Sequence, residues 1–482
     1  MLDLRPVFYA LGAFVCMLAV SMLIPALVDL FFGHPDWPTF LIAMFVSGSF
    51  GIMMMLATQG SNKQLNLRQA FLLTISVWII LPAIAALPMA FSILDLSYTD
   101  AYFEAMSGLT TTGSTVIVGL DDAPPGILLW RAILQWLGGI GVVVMAIAIL
   151  PMLQIGGMQL FKTESFDTSE KILPRAGQIS GAISGLYVAF TAICAILMML
   201  VGLSPFDAIV HAMTSIATGG FSTSDASIGQ YDSVAVEMVS MTFILIGSLP
   251  FILYLQVLRG RTLALWRDQQ VKTFLIALLT LILVVAVWLM VFKGFTITEA
   301  LRYGGFNIVS IMTGTGYAST DYGQWGSFSV TLFFFVMFIG GCAGSTSCGI
   351  KIFRFQVLFK SMKAWINKTI QPNGVFIPRY NGSPIARDVQ SSVLSFLILF
   401  FVILIALTFL ISLTGVDWVT AFSGVGTALA NVGPGLGDII GPAGTFKPLP
   451  DTAKWLLSFT MLIGRLELFA VLVLFTPTFW RG

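Results

Sequence analysis

Apolar residues in this chain fall into long runs separated by short polar breaks. Residues 6–32 and 40–57 each approach or exceed the roughly 20 residues that a helix needs to cross a hydrocarbon core. Only the string GHPDWP at 33–38 separates them, and its His34 reads as a loop residue. From residue 69 onward a compound pattern recurs: a membrane-length run, a helix of about a dozen mildly apolar residues, a short glycine-bearing strand, and a second long run. The first copy takes 69–91, 99–109, 110–115 and 127–153. The second takes 179–201, the short helix 205–216 and 234–258. The third takes 271–292, 298–310, its glycine strand and a run from Ser327, and the fourth takes 389–413, 417–429, 430–435 and 453–475. Non-helical backbone at membrane depth is tolerated only where protein covers it or water fills the space beside it. The pattern predicts an all-α polytopic membrane protein. Four pseudo-repeated hairpins surround one central pore, with two extra N-terminal transmembrane helices. The implied boundaries are 1–62, 63–153, 154–258, 259–370 and 371–482.

Composition agrees with this class. Hydrophobic residues make up 57% and charged residues 10%, and the mean hydropathy is +0.93, which a water-soluble domain could not tolerate. Twenty-four basic and 23 acidic residues nearly cancel, which leaves no basic patch for nucleic acid. Cys16, Cys194, Cys342 and Cys348 lie in apolar context, so neither a disulfide frame nor a zinc site is expected. The opening MLDLRP lacks a secretory leader's basic region and small-residue cleavage site, so the first apolar run is expected to be retained.

Charge bias gives an orientation. With the N-terminus inside, the inner segments carry Arg5, Lys63, Arg68, Lys162, Lys171, Arg175, Arg259, Arg261, Arg267 and Lys272. They also carry Lys351, Arg354, Lys360, Lys363, Lys368, Arg379, Arg387 and Arg481, making 18 of 24 basic residues. This satisfies the positive-inside rule, with both termini cytoplasmic and every glycine strand on the outer side. Asp95, Asp100, Asp121, Asp122, Asp207, Asp225, Asp232, Asp321 and Asp438 fall outside, as solvated loop residues that together draw cations.

The four glycine strings are LTTTGST, IATGGFS, IMTGTGY and LANVGPG. Glycine permits φ > 0 and leaves no Cβ to obstruct a pore, so each string can turn its carbonyls inward. The candidate ion-lining residues are Thr111, Thr112 and Gly113; Thr218, Gly219 and Gly220; Thr315 and Gly316; and Asn431, Val432 and Gly433. The segment TGTGY at 313–317 resembles the TVGYG strand of potassium channels, whose carbonyls replace an ion's hydration shell. Glu104 and His211 each stand nine residues before a glycine, Gly113 and Gly220, and are expected to brace the strands by hydrogen bonds.

Two further features sit at membrane depth. Residues 340–349, GGCAGSTSCG, are too rich in Gly, Ser and Thr to continue a helix, and Lys351 and a basic amphipathic helix to about residue 365 follow. A phosphate-binding loop is excluded because Ile350 stands where lysine is required and no strand precedes it. An unwound segment lining a cavity fits better. The candidate gate residues there are Gly340, Gly341, Gly344, Ser345, Thr346, Ser347, Gly349 and Lys351. Arg465 lies near the middle of the last long run, where a charge costs roughly 2.5–3.5 kcal/mol. Pairing with Glu467 on the same helix is disfavoured, because residues two apart face different sides.

Across nearly the whole chain these features resemble the Trk/Ktr/HKT superfamily of potassium and sodium translocating proteins. The two N-terminal helices and the length are similar to its bacterial TrkH branch rather than the shorter KtrB branch. The resemblance implies potassium as the transported substrate and a homodimer with one pore per subunit in the bacterial inner membrane. It implies a cytosolic ring of nucleotide-binding TrkA-type subunits, with nucleotide on that partner and no organic cofactor on this chain. It further implies that the break at 340–349 is an intramembrane gating loop, that Arg465 belongs to the constriction, and that glycine at all four positions favours potassium over sodium. An ion-coupled carrier with alternating access is the alternative, although the chain lacks the paired intramembrane carboxylates such a carrier would use. A membrane enzyme has still less to stand on, since no His/Asp/Glu cluster or Ser/Lys pair falls at membrane depth.

Overall fold

The computed structural model describes residues 3–60, 65–148 and 176–481. Lys63, the whole 154–175 linker with Lys162, Lys171 and Arg175, and the end of the 127–153 run lie outside them. By length and composition, seven described helices can cross a membrane, and an eighth can if one sharply bent pair counts as a single span. The chain is a mostly helical, multi-pass membrane protein.

The first span is one apolar run in two helices, α1 (Arg5–Ser21) and α2 (Leu23–Phe32), packed against α3 (Trp37–Ala57). Asp29 of α2 is fully buried and accepts the Gly126 N–H at 2.5 Å, which ties this N-terminal unit to the first turn of a later helix. His34 lies in the connecting loop, as its sequence context predicted, where its Nδ1 accepts from Asp36 N at 3.4 Å.

The long helices α4 (Leu67–Ala90), α6 (Pro125–Ala148), α7 (Ala176–Leu200), α11 (Gln269–Lys293) and α15 (Arg387–Ser412) lie close to the expected runs, whereas α9 (Val234–Ser248) covers only the first part of its run. Between successive pairs sit the short helices α5 (Tyr98–Leu109), α8 (Pro205–Ile216), α12 (Ile297–Met312) and α16 (Trp418–Ala430). Their starts share one device. The N-cap side chains of Ser97, Ser204, Thr296 and Asp417 accept the backbone N–H three residues on, from Asp100, Asp207, Glu299 and Thr420. The α12 helix is longer than expected, so Ile311 and Met312 are helical and not part of the strand; Ala430 likewise ends α16. Each short helix packs on the long helix before it, and α5 packs against α17 (Asp451–Arg465), so the first and fourth units are in contact.

Two long helices expected to be continuous are broken, and the break expected after the Ser327 run is present. The 234–258 run bends by 93° between α9 and α10 (Phe251–Leu258). Pro250 has no N–H to give and forces Leu249 into extended backbone, φ −94° and ψ 156°. The run from Ser327 ends as helix α13 (Ser327–Val336), and residues 340–349 are irregular until α14 (Ile352–Ile370) begins. The 453–475 run stops at Arg465, followed by left-handed Glu467 and Leu468, φ 57° and 58°. Arg465 is therefore the last residue of its helix and not a mid-helix charge.

Candidate functional site

The four short helices end in the same way. The residue at the end of each, Thr111, Thr218, Gly314 or Asn431, is left-handed, with φ 52°, 50°, 76° and 52°. Its N–H bonds three residues back, and the next N–H bonds five back: Thr112 to Ser107 O, Gly219 to Thr214 O, Thr315 to Ser310 O and Val432 to Thr427 O, at 2.8–3.0 Å. This is the Schellman helix stop. Two residues beyond each left-handed residue is a second one, Gly113, Gly220, Gly316 or Gly433, with φ 88°, 79°, 83° and 111°. Alternation of left-handed and ordinary backbone swings successive carbonyls to one side of the segment. Threonine and asparagine pay a steric penalty of roughly 1–3 kcal/mol for this conformation, which persists only where the surroundings enforce it.

The segments form a closed circuit. A Cβ placed on Gly113 would overlap the Gly219 carbonyl, one on Gly220 the Thr315 carbonyl, and one on Gly316 the Val432 carbonyl; one on Gly433 would lie 2.8 Å from the Thr112 carbonyl. All four glycines border one cavity of about 190 Å³, along with Thr115, Ser224 and Pro434. Of the outer aspartates predicted to draw cations, only Asp225 lines it, and its carboxylate accepts from Gly119 N and Leu120 N at 2.9 and 3.1 Å.

Side chains behind the segments hold this geometry. Glu104 accepts from Thr115 Oγ1 at 3.0 Å, Val116 N at 2.8 Å and Arg131 Nε at 2.8 Å. His211 bonds Ser222 Oγ through Nε2 at 3.0 Å and Asp207 O through Nδ1 at 2.8 Å. Both therefore lie in bracing positions, as their offset from the glycines suggests. The same nine-residue offset from Gly316 reaches Asn307, which donates to Ser319 Oγ at 2.9 Å. In the fourth unit that position is Gly424, and Ser423 takes over by accepting from Leu436 N at 3.0 Å. Helix α6 adds two braces that sequence reasoning missed. Arg131 donates to Ser222 O at 2.9 Å, and Gln135 donates to Gly219 O at 2.5 Å while accepting from Phe221 N at 3.1 Å. Tyr317 of the third segment reaches Thr214 and Ser215 of α8, and Asn431 of the fourth donates to Thr112 Oγ1 at 2.9 Å.

The irregular loop presses on the helix-proximal ends of these segments. Ser347 Oγ donates to Thr313 O at 2.6 Å, Thr346 Oγ1 to Ile216 O at 3.0 Å, and Cys348 Sγ is 3.4 Å from Thr111 Oγ1. The loop's own backbone is satisfied largely by the bend between α9 and α10. Cys342 N donates to Ser248 O, Thr346 N to Gly247 O, and Phe251 N to Gly344 O, all at 3.0–3.1 Å. At its neck Gly340 N donates to Ile350 O at 2.9 Å and Gly341 N to Ser347 Oγ at 2.9 Å, while Ser345 Oγ donates to Cys342 O at 2.6 Å. Gly344 and Gly349 are left-handed, φ 75° and 74°.

Two buried cations close on the loop. Lys351 Nζ donates to Ser347 O, and Arg465 Nη1 lies 2.6 Å from Cys348 Sγ while Nη2 donates to Gly138 O at 3.3 Å. Glu467 does not pair with Arg465, in agreement with the two-residue spacing. It pairs with buried Arg354 of α14. All four cysteines are free thiols. No group of three or more His, Cys, Asp or Glu among the described residues is placed to hold a metal ion.

A family model described as TrkH, cation transport protein, matches residues 37–481. The Trk system potassium uptake protein TrkI of Halomonas elongata is 46% identical over 477 residues, covering 99% of this chain and 97% of that protein. The Trk system potassium uptake protein TrkH of Escherichia coli K12 is 37% identical over 486 residues, covering 99% of each. The crystal structure of the potassium transporter TrkH from Vibrio parahaemolyticus superposes with a TM-score of 0.92 at 36% identity, covering both chains completely. A family match over most of the chain, and relatives aligned from end to end, make this chain a member of the TrkH family of cation transport proteins.

Proposed function

We propose that this protein takes up potassium across the bacterial inner membrane, with both termini cytoplasmic, through a channel-like pore whose selectivity filter is the four-segment circuit. The observation that carries the reading is that circuit: four glycine carbonyl segments from one chain, each abutting the next, around one cavity. Rings of backbone carbonyls replace the hydration shell of a monovalent cation without carrying a formal charge. The short helices end at the segments, so the partial negative charge of their C-termini favours a cation there. The relatives named as potassium uptake proteins support the choice of ion, and glycine at all four positions favours potassium over sodium.

The loop at 340–349 is the gate. Its contacts with Thr111, Thr313 and Ile216, at the ends of three short helices, support that reading, and on it Lys351 and Arg465 add positive charge beside the loop, a barrier to a cation. The working protein on this reading is a homodimer in the lipid bilayer, opened by a cytosolic TrkA-type ring that carries the nucleotide. Purified protein in liposomes tests the function. Potassium uptake in single-channel steps supports it. Strictly coupled flux without steps, or no potassium flux with the regulatory ring present, overturns it.

A further inference from the structure

Away from the filter, an apolar cleft of about 520 Å³ opens between the start of α11 and the start of α14. Ala277 forms one wall and Phe355 and Phe359 the other, with Phe359 64% exposed at the edge. Beside the cleft α11 presents Ile276 and Leu279, 66% and 59% exposed, so its apolar wall continues into the helix's outer face.

The other end is cationic and polar. Lys272 and Lys360 stand there, and neither has a carboxylate within ion-pair distance among the described residues. Lys360 instead donates to Gln269 Oε1 at 2.6 Å, and partial burial lowers its pKa. An adjoining cleft of about 470 Å³ shares Lys360 and adds Lys363 and Arg379. Between the apolar and cationic parts lies Gln356, 7% exposed. Its amide nitrogen donates to Gln269 O at 2.8 Å and Thr273 Oγ1 at 2.6 Å, and the carbonyl acceptor identifies that atom as the nitrogen. Its Oε1 is buried with no hydrogen-bond partner among the described residues. A buried acceptor without a donor is costly.

We infer that this cleft binds one anionic phospholipid with a hydroxyl-bearing headgroup. An acyl chain lies along Ala277 and Phe355, the phosphate meets the ammonium groups of Lys272 and Lys360, and a headgroup hydroxyl donates to Gln356 Oε1. A second copy of the chain is a poor occupant, because its own basic rim would face this one. The floor of the cleft is Ile339 and Ile352. These residues bracket the irregular loop: Ile339 bridges to Ile350, and Ile352 N donates to Gly341 O at 3.1 Å. The bound chain thus rests against both ends of the loop.

The test titrates purified full-length protein in detergent with phosphatidylglycerol, phosphatidic acid, phosphatidylcholine and glycerol phosphate, reading bound lipid by native mass spectrometry. One phosphatidylglycerol per chain is expected to survive delipidation. Lys272→Ala/Lys360→Ala raises the half-saturating concentration at least tenfold, Ala277→Trp abolishes retention, and Lys368→Ala, which lines neither cleft, leaves it unchanged. Gln356→Leu weakens phosphatidylglycerol about threefold and leaves phosphatidic acid, which has no headgroup hydroxyl, unaffected. Equal retention of phosphatidylcholine, or competition by glycerol phosphate at the lipid's own concentration, overturns the proposal. So does unchanged binding in the double-lysine variant, which decides the matter if Ala277→Trp fails to fold. Loss of dimer from Ala277→Trp with no lipid dependence would assign the cleft to a second copy and also overturn it.

Discussion

Arg131 and Glu104 form an ion pair at 2.8 Å with side chains 1% and 0% exposed, and between them they hold the backbone or side chains of Thr115, Val116 and Ser222. Removing one member of such a pair strands the other, at a cost of about 3–5 kcal/mol, whereas removing both together costs less. Arg131→Met is therefore expected to lower the melting temperature of the purified protein sharply, and adding Glu104→Gln is expected to restore part of the loss. Additive losses in the double variant would show that the pair is not coupled. Half of this arrangement was legible in the sequence. Glu104 and His211 share an offset from their glycines, and the same offset finds Asn307, a bracing residue that the two-repeat comparison did not extend to. Arg131 was not legible, because it sits inside an apolar run 27 residues from Glu104 and meets it only through the packing of α5 on α6. The contact of Cys348 with Arg465 is hidden for the same reason, since the two are 117 residues apart and the sequence shows only a cysteine in apolar context.

At the scale of elements, the loop at 340–349 and the bend between α9 and α10 are one structure made of two breaks. Each leaves helical backbone groups without partners, and each supplies the other's missing bonds. The loop was legible because ten residues rich in Gly, Ser and Thr cannot hold a helix. Apolar length alone gives 234–258 as one span, and Pro250 is the residue in it that marks the bend. The early end of α17 had no comparable signal. It coincides with Glu467 turning to Arg354, a contact that sequence spacing does not encode. The pairing of breaks predicts that shortening the loop by residues 345–347 raises basal potassium flux per folded protein in liposomes that contain no other protein. Arg465→Ala is expected to do the same through loss of the charge beside Cys348. Both leave the potassium over sodium ratio largely unchanged, because the glycine circuit retains its own braces. Basal flux that is unchanged or reduced in both variants would contradict the gating role. For the bend, Thr346→Ala removes donations to Ile216 O and Gly247 O and is expected to raise basal flux severalfold, and an unchanged rate would detach the bend from the gate.

At the scale of the molecule, the multi-pass helical class was legible from hydropathy alone, and the four-part recurrence from glycines each preceded by a short helix. The closure of the four segments on one another was not, because it depends on which carbonyl fills the space beside each glycine. Docking of a cytosolic ring remains a separate proposal, resting on basic inner loops such as 259–272 and 360–387. Cross-linking in native membranes is expected to capture a nucleotide-binding subunit on those loops, and its consistent absence would count against the partner. The central claim is that four segments of one chain form a single selective ring. The most direct measurement compares potassium and sodium flux through purified protein in liposomes for Gly113→Ser, Gly220→Ser, Gly316→Ser and Gly433→Ser, each made alone. At every one of these positions a side chain meets the next segment's carbonyl and an unfavourable positive φ. The account predicts that each folded variant loses at least tenfold of the wild-type potassium over sodium preference, or loses transport, whichever segment carries the change. Wild-type preference retained in any one of the four would contradict the ring.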